Sequence, residues 1–245
     1  AGAFVGYDQL EASTRIMRYR EVTSKNKKFY QLVLDQTPFY PEGGGQIGDA
    51  GTLTPADGSA AIQIFDTKKE NNLIVHFCKD LPVPPNGTFM AQVNSRRRAD
   101  TERNHTATHL VHEALREVLG THVEQKGSLV KADALRFDFS HFSKVNEEEL
   151  HQIEALVNQR IQSNMALGEH RDLPLDEAKK RGAMMLFGEK YGERVRMIEF
   201  GESRELCGGT HAPSTGHLGL FRITQETAVA SGIRRIEASP RMIAV

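Results

Sequence analysis

The chain has 245 residues, enough for one large domain or two ordinary ones with a sizeable core. Hydrophobic residues make up 39% and charged residues 26%, and the net charge is −1, so a polyanion would have to be met by local basic patches. Two cysteines far apart, Cys78 and Cys207, cannot build a disulfide framework, which fits a reducing, cytoplasmic setting.

Residues 1 to about 95 are β-rich by composition. "KFYQLVLD" and "AAIQIFD" are short runs of aromatic and branched residues bounded by Gly, Pro, Asn and Asp. Between them lies "TPFYPEGGGQIGDAG", whose glycines break regular structure and permit close backbone approach. "KDLPVPPNG" reads as a turn-rich connection, and a small β-barrel-like domain is expected over 1–95. From 96 the period changes. "RRRADTERNHTATHLVHEALREVLG" places Ala107, Leu110, Val111, Ala114, Leu115 and Val118 at three-and-four spacing, with Gly120 as the stop of one long amphipathic helix. "LRFDF" alternates like a half-buried strand. In "NEEELHQIEALVNQRI", Asn146 and Glu149 form a capping-box pattern ahead of a second helix. "VRMIEF" and "LGLFRIT" are strand candidates. The expectation is therefore α+β, with an α+β domain over 96–245. No run of about eighteen apolar residues and no charged-then-apolar leader is present, so no membrane partner is expected. A start at Ala1 and an end at "RMIAV" suggest a piece of something longer.

The chemistry concentrates in two short motifs. In "HTATH", His105 and His109 stand at i and i+4, so both imidazoles leave one helix face a turn apart and can share one ion. His112, three further on, can join that face. In "CGGTH", Gly208 and Gly209 let the chain curl until Cys207 and His211 point at one spot. Either pair alone is ambiguous, because a lone buried cysteine is usually a small hydrophobe. Together they offer three imidazoles and a thiolate, the donor set zinc prefers.

"HTATH", then "CGGTH" about a hundred residues later, with "FYPEGGGQIGD" ahead of both, resembles the editing region of the alanyl-tRNA synthetase family. "QKGSLV", "LRFDFSH" and "ASGIRRIEA" are similar to that family too. Free-standing AlaX-type deacylases share both domains, and the spelling "PEGGGQ" is common among them. The resemblance implies zinc on His105, His109, Cys207 and His211, an editing role for Gln125, and a glycine motif over Gly43, Gly44, Gly45, Gln46 and Asp49. It implies an α+β editing domain that hydrolyses tRNA(Ala) mischarged with serine or glycine. ATP would serve only the synthetic domain of a parent ligase, and this chain alone should not charge tRNA. The alternatives are a complete AlaX-type deacylase and a zinc-stabilised RNA-binding module without hydrolysis.

The need for such a site is physical. A small apolar pocket for alanine rejects an added hydroxyl only about a hundredfold, so a second site must recognise that hydroxyl by hydrogen bonding. Gln125, Thr106 and Thr108 are the candidates to line it, although the threonine hydroxyls can equally bond their own helix. Four ligands make a closed site unless one is loose or the coordination expands, so zinc can activate water or orient substrate. Arg96, Arg97, Arg98 and Arg103, with Lys126, form a basic cluster at the helix start suited to phosphate contacts. The same cluster could be a solvated face.

Overall fold

A computed structural model of the chain describes residues 2–186 and 189–241. Packing divides them into two compact units: residues up to Gly43 with Ile47–Ala99, and Gly44–Gln46 with Asp100 onward.

The first unit is a mostly antiparallel β structure. Its strands are β1 (Ala3–Phe4), β2 (Glu11–Thr14), β3 (Ile16–Ser24), β4 (Lys27–Leu34), β5 (Gln36–Thr37), β6 (Gly51–Pro55), β7 (Ile62–Glu70), β8 (Leu73–Cys78) and β9 (Phe89–Val93). Seven of them form one sheet in the order β2-β9-β6-β7-β8-β4-β3, while β1 and β5 pair in parallel. Alternate residues of β7 and β9 turn inward, and Leu32, Leu34, Phe39, Leu53, Ile64 and Phe89 build the core.

The sheet is open, which corrects the barrel-like expectation. The edge strands β2 and β3 do not pair with each other. At the corner between them Asp35 Oδ1 accepts from Thr14 Oγ1 at 2.7 Å and from the Arg15 N–H at 2.9 Å. Most of β3 is exposed on both faces, with Met17 and Tyr19 in solvent, so this strand could not have been a wall of a filled barrel.

The second unit carries most of α1 (Ser95–Leu119), followed by β10 (Gln125–Val130), β11 (Leu135–Ser140) and α2 (Glu147–Gln162). Then come β12 (Gly168–Pro174), α3 (Leu175–Lys180), β13 (Arg194–Phe200), β14 (Ser203–Leu206), a 3₁₀ turn (Thr215–Leu218), β15 (Leu220–Ala230) and β16 (Ile233–Arg241). Two antiparallel sheets result, β10-β11-β16-β15 and β12-β13-β14. Helix α1 opens on Asn94, whose side chain accepts from the Arg97 N–H at 3.0 Å, and it stops at Gly120, whose φ of 124° only glycine adopts readily. In α2, Asn146 and Glu149 form both halves of the capping box. Ala107, Leu110, Val111, Ala114 and Leu115 of α1 join Phe137, Phe139, Val157 and Phe221 in one core. Strand β16, whose "ASGIRRIEA" the sequence marks only as a motif, is the central partner of β11 and β15. No helix among the described residues is long and apolar enough to cross a membrane.

Candidate metal centre

Two turns of α1 and the loop after β14 bring His105, His109, Cys207 and His211 together, one donor atom of each lying within 4.8 Å of the others. The Cys207 Sγ is 3.4 Å from His105 Nε2 and 3.3 Å from His211 Nε2. The three imidazoles are buried and Cys207 is half-buried. Gly209 is indispensable to this loop, since a Cβ there would collide with the His105 ring and come 2.7 Å from Gln46 Oε1. Arg196 of β13 pins the loop from outside, donating to Cys207 O at 2.8 Å and Gly209 O at 2.7 Å and pairing with Glu169 at 2.9 Å.

Each imidazole is oriented by an oxygen. His105 Nδ1 donates to Gln46 Oε1 at 2.7 Å, which leaves its Nε2 lone pair facing the thiol. Gln46 is itself clamped, accepting from the Thr210 N–H at 2.9 Å and donating to Thr210 Oγ1 at 2.8 Å. The glycine loop delivers it: Gly45 has φ 85°, its carbonyl accepts from the Val130 N–H at 2.7 Å, and a Cβ would collide with Ser128. His211 Nδ1 lies 3.0 Å from Thr106 Oγ1, which also accepts from the Ala212 N–H at 3.1 Å. His109 Nε2 lies 3.1 Å from Glu205 Oε2, and the other Glu205 oxygen lies 2.6 Å from His112 Nδ1.

Burial, reinforced by the repulsion that a second protonated imidazole and the Arg196 guanidinium would exert, holds His105 and His211 well below the usual histidine range. Burial lowers His109 as well, against the pull of Glu205. The imidazoles are therefore neutral, with lone pairs available. Burial, helped by Glu205, pushes the Cys207 thiol up to about 12 against the Gly209 N–H and Arg196. Burial raises Glu205 too, but its interactions with His109 and His112, including the hydrogen bond to His112, outweigh it and hold the carboxyl below its ordinary value. This set fits a borderline-soft cation such as zinc. Neutral imidazoles bind as they stand, a coordinated thiol loses its proton, and the buried Nδ1 of His109 has no hydrogen-bond partner among the described residues.

The other sequence candidates fall in different places. Thr106 is fully buried as a partner of His211, and Thr108 donates to Asn104 O at 2.8 Å within its own helix. Gln125 begins β10, half-buried, and donates to Ser128 Oγ at 3.1 Å. Arg98 is only 2% exposed and bonds Asp49 at 2.5 Å, Gly6 O at 2.8 Å and Pro38 O at 2.8 Å. Its donors are spent inside the first unit, so the phosphate-facing expectation does not suit this arginine. Asp49, expected only as part of the glycine motif, is its buried counter-ion, and Gly43 accepts from Tyr40 Oη at 2.9 Å. Arg97 donates to Gly48 O at 2.8 Å, Arg103 pairs with Asp100, Lys126 pairs with Glu124 at 3.4 Å, and Arg96 is exposed. Sequence reading missed Glu205, Arg196 and Thr210. Glu205 stands two residues before "CGGTH" and Thr210 lies within it, whereas nothing local marked Arg196.

Residues 195–237 match the family described as the Threonyl and Alanyl tRNA synthetase second additional domain, and residues 1–98 match tRNA synthetases class II (A). The chain is similar to alanine–tRNA ligases of Porphyromonas gingivalis (58% identity over 235 residues) and Flavobacterium psychrophilum (59% over 243 residues). That of Cytophaga hutchinsonii is 58% identical over 237 residues. In each case 96% of this chain is matched, and it spans 27% of the relative's length.

Proposed function

Because the chain is a relative of alanine–tRNA ligases across 96% of its length, we propose that it forms the editing portion of such an enzyme. Its reaction would be hydrolysis of the aminoacyl ester of tRNA(Ala) mischarged with serine or glycine. The parent protein would join alanine to tRNA(Ala) with ATP, chemistry that belongs outside this segment. The observation that carries the reading is the convergence of His105, His109, Cys207 and His211 on one buried spot, with an oxygen at the outer nitrogen of His105 and of His211. In this reading those four residues hold one zinc ion, and residues 96–245 are the deacylase domain behind a β-rich domain over 1–95.

Bound zinc would supply Lewis acidity for the ester and its attacking water. The chain's own part is orientation. Gln46, whose amide oxygen can only accept, fixes the tautomer of His105, and Thr106 orients the ring of His211, so the donor atoms stay aimed without rearrangement during the reaction. Gln125, at the mouth of β10, is the group to recognise the serine hydroxyl, because an alanyl ester leaves its hydrogen bond unmade. The buried Thr106 and Thr108 then act on the histidine and the helix rather than on the substrate. Phosphate contacts rest on Arg96, Arg97, Arg103 and Lys126, while Arg98 is spent on Asp49.

The test is hydrolysis of Ser-tRNA(Ala) by the zinc-loaded chain beside its Cys207→Ala variant. Turnover that persists unchanged in the variant, or is absent from the zinc-loaded wild type, rejects the proposal.

A further inference from the structure

We propose that Glu205 is a positioning residue of the metal centre, a buried carboxylate that ties down His109 and is itself anchored by His112. The proposal rests on the metal reading above. Of the three clustered imidazoles, His105 and His211 each set one nitrogen against a neutral oxygen, Gln46 Oε1 or Thr106 Oγ1. His109 is different: the oxygen beside its Nε2, at 3.1 Å, is Glu205 Oε2, which belongs to a carboxylate. An ionised carboxylate is costly to bury without partners, and this one is only 8% exposed. Its second oxygen therefore needs an anchor, which is His112 Nδ1 at 2.6 Å.

Sequence spacing makes the arrangement possible. His109 and His112 are three apart on α1 and share a face, so one carboxylate reaches both. Glu205 stands two residues before Cys207 on the strand that leads into the metal loop, opposite Ile198 of the pinned strand β13. The strand that leads to the thiol thus also holds a histidine from the helix. His112 takes no place in the cluster: its ring packs 5.2 Å from Phe137, and its Nε2 is buried without a hydrogen-bond partner among the described residues. Its one polar contact among the described residues is with Glu205, so its use is to hold the carboxylate.

Glu205→Gln keeps the shape and one acceptor oxygen but removes the charge and sets an amide nitrogen against one of the imidazoles. Zinc affinity would be read by chelator competition, the ligand field by the visible spectrum of the cobalt-loaded chain, and folding by circular dichroism of the metal-free protein. We expect roughly 10–100-fold weaker zinc binding and a shifted cobalt spectrum with folding retained. A merely structural link between β14 and α1 would not move the cobalt bands. If Glu205→Gln does not fold, Glu205→Asp is read in its place, because retreat by one methylene loosens His109 while preserving the charge. A folded variant with zinc affinity within about twofold of wild type and an unchanged cobalt spectrum overturns the role of Glu205 and leaves the metal site standing. A wild-type chain that binds neither zinc nor cobalt overturns the metal reading itself, and this proposal with it.

Discussion

His76 in the first unit and His105 in the second are both buried, and burial drives both below the ordinary histidine range, His76 to about 4. Their nitrogens are used differently. His76 donates from Nδ1 to Leu32 O at 3.0 Å, and its Nε2 meets Thr37 Oγ1 at 2.7 Å, a hydroxyl that also accepts from the Phe39 N–H. Both nitrogens are spent, and the ring is part of the core. His105 spends only Nδ1 and turns Nε2 toward a thiol. The cysteines repeat the contrast. Burial pushes Cys78 and Cys207 alike to about 12, but among the described residues the Cys78 sulfur meets only Tyr30 O, at 3.9 Å, whereas Cys207 has two imidazoles. The direction of each shift and its cause, burial, are shared by the two regions. A candidate ligand is distinguished by a donor atom left unspent and aimed at others like it.

The sharpest way to break this comparison is to remove each thiol. Cys207→Ala combined with His211→Ala should reduce bound zinc from about one equivalent to below about a tenth, because half of the donor set is gone. Cys78→Ala should keep its zinc and lose only about 1–2 kcal/mol of stability to the small cavity. Elemental analysis and denaturation of both variants decide it, and equal zinc loss from the two would abolish the distinction.

The packed histidine should announce itself through pH. Its folded pKa of about 4 lies below the unfolded value of 6.5, so the unfolded chain binds the extra proton in that window. The stabilisation from a neutral His76 is complete above 6.5 and is lost as pH falls, reaching about 3 kcal/mol by pH 4. The same pH series on His76→Leu should show a shallower decline, and a slope identical to wild type would mean that another group titrates.

Gln46→Ala leaves His105 free to rotate without touching any ligand. Zinc affinity should fall roughly 10–100-fold, and chelator competition that finds no change would remove Gln46 from the centre. For Gln125→Ala the expected change is in selectivity, about five- to two-hundredfold slower seryl-ester hydrolysis with zinc content and slow alanyl hydrolysis nearly unchanged. Equal slowing of both esters would place Gln125 in the general machinery. The smallest effect is expected at the helix start: Arg96→Ala with Arg97→Ala should flatten the salt dependence of tRNA binding by about two units of slope, which a salt titration reads directly.

Short spacings were legible because the physics acting on them is local. Four residues along a helix bring His105 and His109 to one face, three residues place Glu149 on Asn146, and two glycines let Cys207 and His211 converge. Strand-forming runs such as "KFYQLVLD" and "LRFDF" were likewise readable from composition and alternation, which determine that a segment is extended but not which edge it pairs with. Tertiary structure alone decided the rest. Sheet closure depends on whether the first and last edges meet, and β2 and β3 do not pair. Arg98 looks like its basic neighbours until Asp49, 49 residues earlier in the chain, removes it from the surface. Gln46 reaches Thr210 across 164 residues, and Glu205 reaches His112 across 93. At such separations the chain's path through space, and not the identity of adjacent residues, determines which polar group finds a partner and which is left aimed at a metal.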